Sequence, residues 1–203
     1  MILLRRIQVK IFIGLTFIFI LISGFTIFLY KNLELREKIP IFSEAFFKYD
    51  EYLLKRKIAK QPYSGFWHYE LAYLYFRKGD IDKFENELRK ALEVDPYSIA
   101  SIYSLALHYE SKWQFENALQ LYKHGAKLDK EYKLPFHYGV GGMYCNLGRP
   151  MEALEAYKEA LKHIDTYDIA EGKENMKHHM EEQIKGIEEG KFCTVKLSLL
   201  KMW

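Results

Sequence analysis

A spacing of 34 or 35 residues recurs through the middle of the chain and limits what it can fold into. Pro62 and Pro96, inside "QPYS" and "DPYS", stand 34 residues apart. Tyr75, Tyr109 and Tyr144 follow one another at intervals of 34 and 35, as do Phe84, Ala118 and Ala153. Such a period marks one supersecondary unit used several times, each copy burying its apolar face on the next. Within each unit two stretches of helical periodicity flank a short turn. "RKGDID" at 77–82 and "NLGRPM" at 146–151 supply a turn glycine, whereas "ESKWQFENA" places Trp113 there.

The matched positions are small or aromatic. Helix axes about 8–10 Å apart need small side chains at their closest approach. Ala72, Ala106 and Gly141 meet that need on the first helices, and Ala118 and Ala153 on the second. This pattern resembles the tetratricopeptide repeat, W-x2-L-G-x2-Y, then A-x3-F, then P. The first unit carries His68, Leu71, Ala72, Tyr75, Phe84, Leu88, Ala91 and Pro96. The second carries Ile102, Leu105, Ala106, Tyr109, Ala118, Tyr122 and Gly125. The third carries His137, Val140, Gly141, Tyr144, Ala153, Tyr157 and Ala160. No unit has the leading Trp, Phe84 replaces a small residue, and only the first unit closes with Pro.

The resemblance implies an all-α, tetratricopeptide-like α-solenoid of about three helix pairs, with repeats at 65–98, 99–133 and 134–167. A degenerate helix within 31–64, with Phe42, Ala45, Phe46, Tyr49, Tyr52 and Leu53 on one face, is expected to cap one side. A more polar helix over 168–190 is expected to cap the other, as such stacks require for solubility.

The first forty residues are different material. After a basic tail at 1–10 with Arg5, Arg6 and Lys10, residues 11–30 contain no charge. As a helix that run would be about 30 Å long, the thickness of a bilayer's hydrocarbon core. A cleavable signal peptide would have an apolar region of only about 7–15 residues before a small-x-small site. Here apolar residues continue past Ser23-Gly24 to Tyr30, so an uncleaved transmembrane helix is expected.

Charge excludes some partners. Thirty Lys plus Arg against 27 Asp plus Glu leaves a formal +3, without the basic face of a nucleic-acid binder. The densest basic run, Lys55-Arg56-Lys57 with Lys60, reads as a solvated helix end, with a membrane-surface contact as the alternative. Cys145 and Cys193 form no CxxC and no framework, so they do not report a redox compartment. No hydrolase elbow, phosphate loop, dinucleotide fingerprint or zinc spacing is present. His178-His179 point about 100° apart on a helix and read as a solvated face, while Cys145 has no evident base or oxyanion donor. No catalytic residue, metal site or cofactor is expected, and the chain is not read as an enzyme.

The informative surface is a second face of the first helices. Phe66, Tyr69, Tyr73 and Phe76 follow i, i+3, i+7, i+10 spacing beside Arg77. The equivalent places hold Ala100, Tyr103, Leu107 and Glu110, then Pro135, Tyr138, Gly142 and Cys145. By the resemblance this face lines the concave groove that holds partner segments, with Tyr69, Tyr103 and Tyr138 as a ladder. The alternative is that these rings cover core edges or pack against the anchor-side helix, since tyrosine is amphipathic and suits both places. Members of the family that bind chaperone tails grip a terminal carboxylate with Lys and Asn here. Tyr69, Tyr73, Tyr103 and Leu107 replace that clamp, so an apolar or aromatic peptide or protein loop fits better.

The tail at 191–203 alternates Val195, Leu197 and Leu199 with Lys196 and Ser198, as an extended segment would. It can fold back on the stack, meet the membrane interface through Trp203, or dock on another subunit. The expectation is a single-pass membrane protein bearing an interaction module, as assembly factor, adaptor or scaffold. Anchored tetratricopeptide proteins of cytochrome maturation and of secretion-associated quality control are similar in layout. The rival is a permanent accessory subunit of a larger membrane complex. A bacterial inner membrane with the solenoid extracytoplasmic is the expected location. The basic N-terminus favours a cytoplasmic start, and long domains translocate regardless of charge.

Overall fold

The computed structural model describes residues 23–25, 27–28, 40–128, 133–165, 170–191 and 193. The expected membrane span at 11–30 lies outside the described residues except at 23–25, 27 and 28, and the tail at 191–203 except at Lys191 and Cys193. Among the described residues no helix is long and apolar enough to cross a membrane.

The chain divides into two compact units, Met1–Leu53 and Leu54–Trp203. Helix α1, Pro40–Lys60, runs across the division. In the first unit Tyr49 and Tyr52 are exposed on it. The second unit contains α2 (Gly65–Lys78), α3 (Ile81–Val94), α4 (Ile99–Ser111), α5 (Phe115–Leu128), α6 (Lys133–Asn146), α7 (Pro150–Leu161) and α8 (Ala170–Glu188). Each first helix packs on its own second helix: α2 on α3, α4 on α5, α6 on α7. α3 meets α4, α5 meets α6, and α8 closes against α7. The described elements are all helical and form a tetratricopeptide-like solenoid.

The turn inside each repeat is built the same way three times. Gly79, Trp113 and Gly148 adopt φ of 78°, 60° and 69°. The next residue then donates its N–H back to the repeat tyrosine's carbonyl: Asp80 to Tyr75 at 3.0 Å, Gln114 to Tyr109 at 2.9 Å, Arg149 to Tyr144 at 2.9 Å. This left-handed stop satisfies carbonyls that a helix end otherwise leaves orphaned. The second helices begin at once, with Asp80 capping α3 by accepting from the Lys83 N–H, and Pro150 opening α7 where its missing N–H costs nothing.

The core is set by rings that lie against bare backbone. Ala72, Ala106, Ala118 and Ala153 are fully buried. A Cβ on Gly141 would come 2.5 Å from the Tyr157 ring, and one on Gly125 would come 2.2 Å from Phe136. Those separations are far inside van der Waals contact, so α6 reaches α5 and α7 only because these positions lack a side chain. Tyr75, Tyr109 and Tyr144 are buried as the fillers between neighbouring helices. Cations cover their rings: Arg89 over Tyr109 at 5.4 Å and Arg149 over Tyr144 at 4.6 Å.

Polar side-chain contacts bridge successive helices. His68 of α2 meets the Glu87 carboxylate of α3 at 2.7 Å. Glu85 of α3 accepts from His108 and Lys112, each at 2.9 Å, and from Arg89. Burial pushes the Glu85 carboxyl up, but the hydrogen bonds of Lys112, His108 and Arg89 outweigh it and hold it at about 2.

Trp113 alone among the three turn residues reaches left-handed φ with a side chain, and its ring is largely exposed beside Phe115. That conformation costs about 1–2 kcal/mol for a residue with a Cβ, and glycine's freer unfolded state returns part of it. Trp113→Gly is expected to stabilise the fold by about 0.5–1 kcal/mol, read as a higher urea midpoint with unchanged slope. A lowered midpoint would mean that the Trp113–Phe115 ring contact outweighs the backbone strain.

Candidate functional site

The row of side chains on α2, α4 and α6 changes character along its length. At the α2 end Phe66, Tyr73 and Phe76 are 54%, 52% and 45% exposed. Tyr69 is half-buried and Arg77 exposed. Tyr73 stacks on Phe76 with centroids 6.5 Å apart, and Phe76 leans on Phe84 of α3 at 5.1 Å. This end is an apolar, accessible surface held from behind by the α2–α3 contact.

The α4 part is filled. Ala100 is exposed, but Tyr103, Leu107 and Glu110 are half-buried. The Tyr103 ring meets Tyr122 of α5 at 6.1 Å and Phe136 of α6 at 5.7 Å, both edge-on. Tyr103 thus joins three helices, as a core-edge residue does. The Tyr122 hydroxyl donates to Glu110 Oε2 at 2.8 Å. Burial raises the Glu110 carboxyl above its ordinary value, and the Tyr122 hydrogen bond only partly offsets this. Tyr122 itself is pushed well above the ordinary phenol range, first by burial and then by the Glu110 charge.

The α6 end is sealed. Pro135 is buried, Gly142 half-buried and Cys145 buried. Tyr138 packs on Tyr157 at 6.1 Å and on His179 of α8 at 5.6 Å, and its hydroxyl lies 3.1 Å from His179 Nδ1. Burial, then the Glu110 charge, pushes the phenols of Tyr138 upward; burial, the neighbouring Tyr138 and Glu110 do the same to Tyr157. Cys145 forms a disulfide with Cys193, their Cα atoms 5.3 Å apart. The Tyr157 hydroxyl lies 3.8 Å from Cys145 Sγ.

Several partners at this end escaped the sequence. The two cysteines, which carry no sequence framework, are joined because α8 returns the chain to α6 across 48 residues. Spacing cannot reveal a pairing that tertiary packing creates. His179, read with His178 as a solvated face, instead turns onto Tyr138 and Tyr157 while His178 stays exposed. The 100° step between adjacent helix residues separates them. Tyr122 and Tyr157 sit at the repeat's second-helix aromatic position; the Tyr122 ring lies against Gly139 and its hydroxyl meets Glu110, while the Tyr157 hydroxyl lies beside Gly142.

Glu110 is the one row residue whose charge opposes burial. A carboxyl with a raised folded pKa destabilises the fold above that pKa, and the cost disappears as pH falls to the ordinary 4.5. Glu110→Gln keeps an acceptor for Tyr122 and removes the charge. It is expected to raise the melting temperature at pH 7, the gain shrinking to nothing below pH 4.5. A loss of stability at pH 7 would show that the charge is held by favourable contacts.

Residues 68–98 match the family model for the tetratricopeptide repeat. The chain is also similar to solved structures. One crystal structure of MamA aligns with TM-score 0.50 at 16% identity, over 76% of this chain and 92% of that one. A second crystal structure of the MamA protein aligns with TM-score 0.50 at 16% identity, over 86% and 99%. A MamA AMB-1 crystal form aligns with TM-score 0.50 at 17% identity, over 79% and 91%. These likenesses are of fold: the described chain is a tetratricopeptide-like solenoid, with its family match confined to the first repeat.

Proposed function

We propose that this chain is a membrane-anchored interaction module that captures an apolar segment of a partner protein on the first-helix row. It would act as an assembly factor, adaptor or scaffold. The observation that carries this is the α2 end, where Phe66, Tyr73 and Phe76 stay about half exposed among the described residues. Half-exposed aromatic rings offer area and few rotors to freeze, which suits capture of a peptide or loop. The filled α4 and α6 ends support a short docking patch over a long groove. The charge-free run at 11–30 supports the anchor.

The Cys145–Cys193 bond supports a solenoid on the extracytoplasmic side, because disulfides persist in oxidising compartments and are rare in reducing ones. A second reading, a permanent subunit, draws on Tyr63 and Tyr97. They recur in register between repeats, off the row, and stand 93% and 69% exposed. Large apolar groups repeated on a second surface fit a standing interface better than a transient one.

Phe66→Ala with Tyr73→Ala is expected to weaken partner capture by at least about tenfold, since buried aromatic hot spots are worth about 2 kcal/mol or more. The melting temperature should hardly move. Undiminished co-purification by the pair, with capture lost in Tyr63→Ala/Tyr97→Ala, would favour the subunit reading. The topology has its own check. In cells quenched with acid and blocked with N-ethylmaleimide, both cysteines should accept a maleimide-polyethylene glycol only after reduction. Labelling before reduction would remove the support for an oxidising side.

A further inference from the structure

The third repeat brings three metal-binding side chains together away from the row. His137 precedes Tyr138, so its ring leaves α6 about 100° from the row face. Glu159 and His163 lie one helical turn apart at the end of α7 and in the turn after it. One donor atom from each of His137, Glu159 and His163 lies within 4.8 Å of the other two. His163 Nε2 stands 3.5 Å from Glu159 Oε1, and the His137 and His163 rings stack 5.7 Å apart at 18°.

That spacing has a physical meaning. Two ligands at about 2.0–2.1 Å from one tetrahedral ion stand roughly 3.3 Å from each other. The Glu159–His163 separation is therefore close to what a shared ion needs, and long for a direct hydrogen bond. Lys162 holds the other carboxylate oxygen, Oε2, at 2.6 Å, which leaves Oε1 on the imidazole side. The side chains of His163 and Glu159 are 21% and 40% exposed, so the donors are partly withdrawn from water yet reachable. His137 and Glu159 also line an open cleft of about 740 Å³ between α5, α6 and α7.

We infer that His137, Glu159 and His163 bind one divalent transition-metal ion of the zinc class, with its remaining coordination position facing that cleft. Two imidazoles and one carboxylate suit zinc, whereas calcium and magnesium demand oxygen ligands throughout. The bound ion ties α6 to the end of α7. The exposed pair His178 and Glu182, 3.3 Å apart on α8, offers only two donors and serves as the control.

The test uses the full chain in detergent with its disulfide intact, stripped by chelator and titrated with zinc chloride against a chromophoric chelator. One equivalent should bind and raise the melting temperature, and cobalt(II) in its place should give the intense visible bands of a four-coordinate ion. Glu159→Gln, His137→Ala and His163→Ala should each weaken binding by at least about tenfold, as even supporting residues around metals do. His178→Ala should leave it unchanged. If circular dichroism shows a histidine variant to be unfolded, Glu159→Gln decides, since its carboxylate is largely solvent-facing. No stoichiometric zinc uptake by the native chain, or an unchanged titration in Glu159→Gln, would overturn the site.

Discussion

The closeness of the Tyr157 ring to the bare backbone at Gly141 is the contact on which the rest of the solenoid depends. It fixes how near α6 and α7 lie, and the same need for small groups recurs at Ala72, Ala106, Ala118 and Ala153. Once first and second helices are that close, a second-helix tyrosine is long enough to pass between them. Tyr122 and Tyr157 therefore appear on the functional face as hydroxyls, although both rings belong to the core. The packing rule of the repeat and the polarity of its row have one cause.

The row itself is uneven. The first repeat has Phe84 where the others have alanine, and Phe84 pairs with Phe76 from behind. Phe76 and Tyr73 stay accessible on the outer side of that contact. In the second and third repeats the rings turn inward onto Tyr122, Phe136, Tyr157 and His179.

The periodic part of this was open to the sequence, because small and aromatic residues at a fixed interval have few packing solutions. Helices α2 to α7, their turns and the buried tyrosines Tyr75, Tyr109 and Tyr144 all follow from the interval and the small residues. The row was legible as a set of positions, since helix spacing alone puts Phe66, Tyr69, Tyr73 and Phe76 on one face. Which members face solvent was not, because that depends on neighbours on other helices, as with Tyr103 between Tyr122 and Phe136. Cys145 with Cys193, and His137 with Glu159 and His163, are contacts between separate elements with no motif in the chain.

The disulfide has a further consequence for how the solenoid comes apart. Repeat stacks unfold piecewise, each unit held mainly by its neighbours. A cross-link spanning 48 residues removes unfolded-state freedom worth about 4 kcal/mol in the chain-entropy account. All of that falls on α6, α7 and α8, and none on α2 or α3. The two ends should therefore open at different free energies, with amide exchange fastest around α2 and slowest across the cross-linked segment. On that expectation fraying falls at the end that offers its aromatic rings, where a captured segment would meet a helix pair free to adjust.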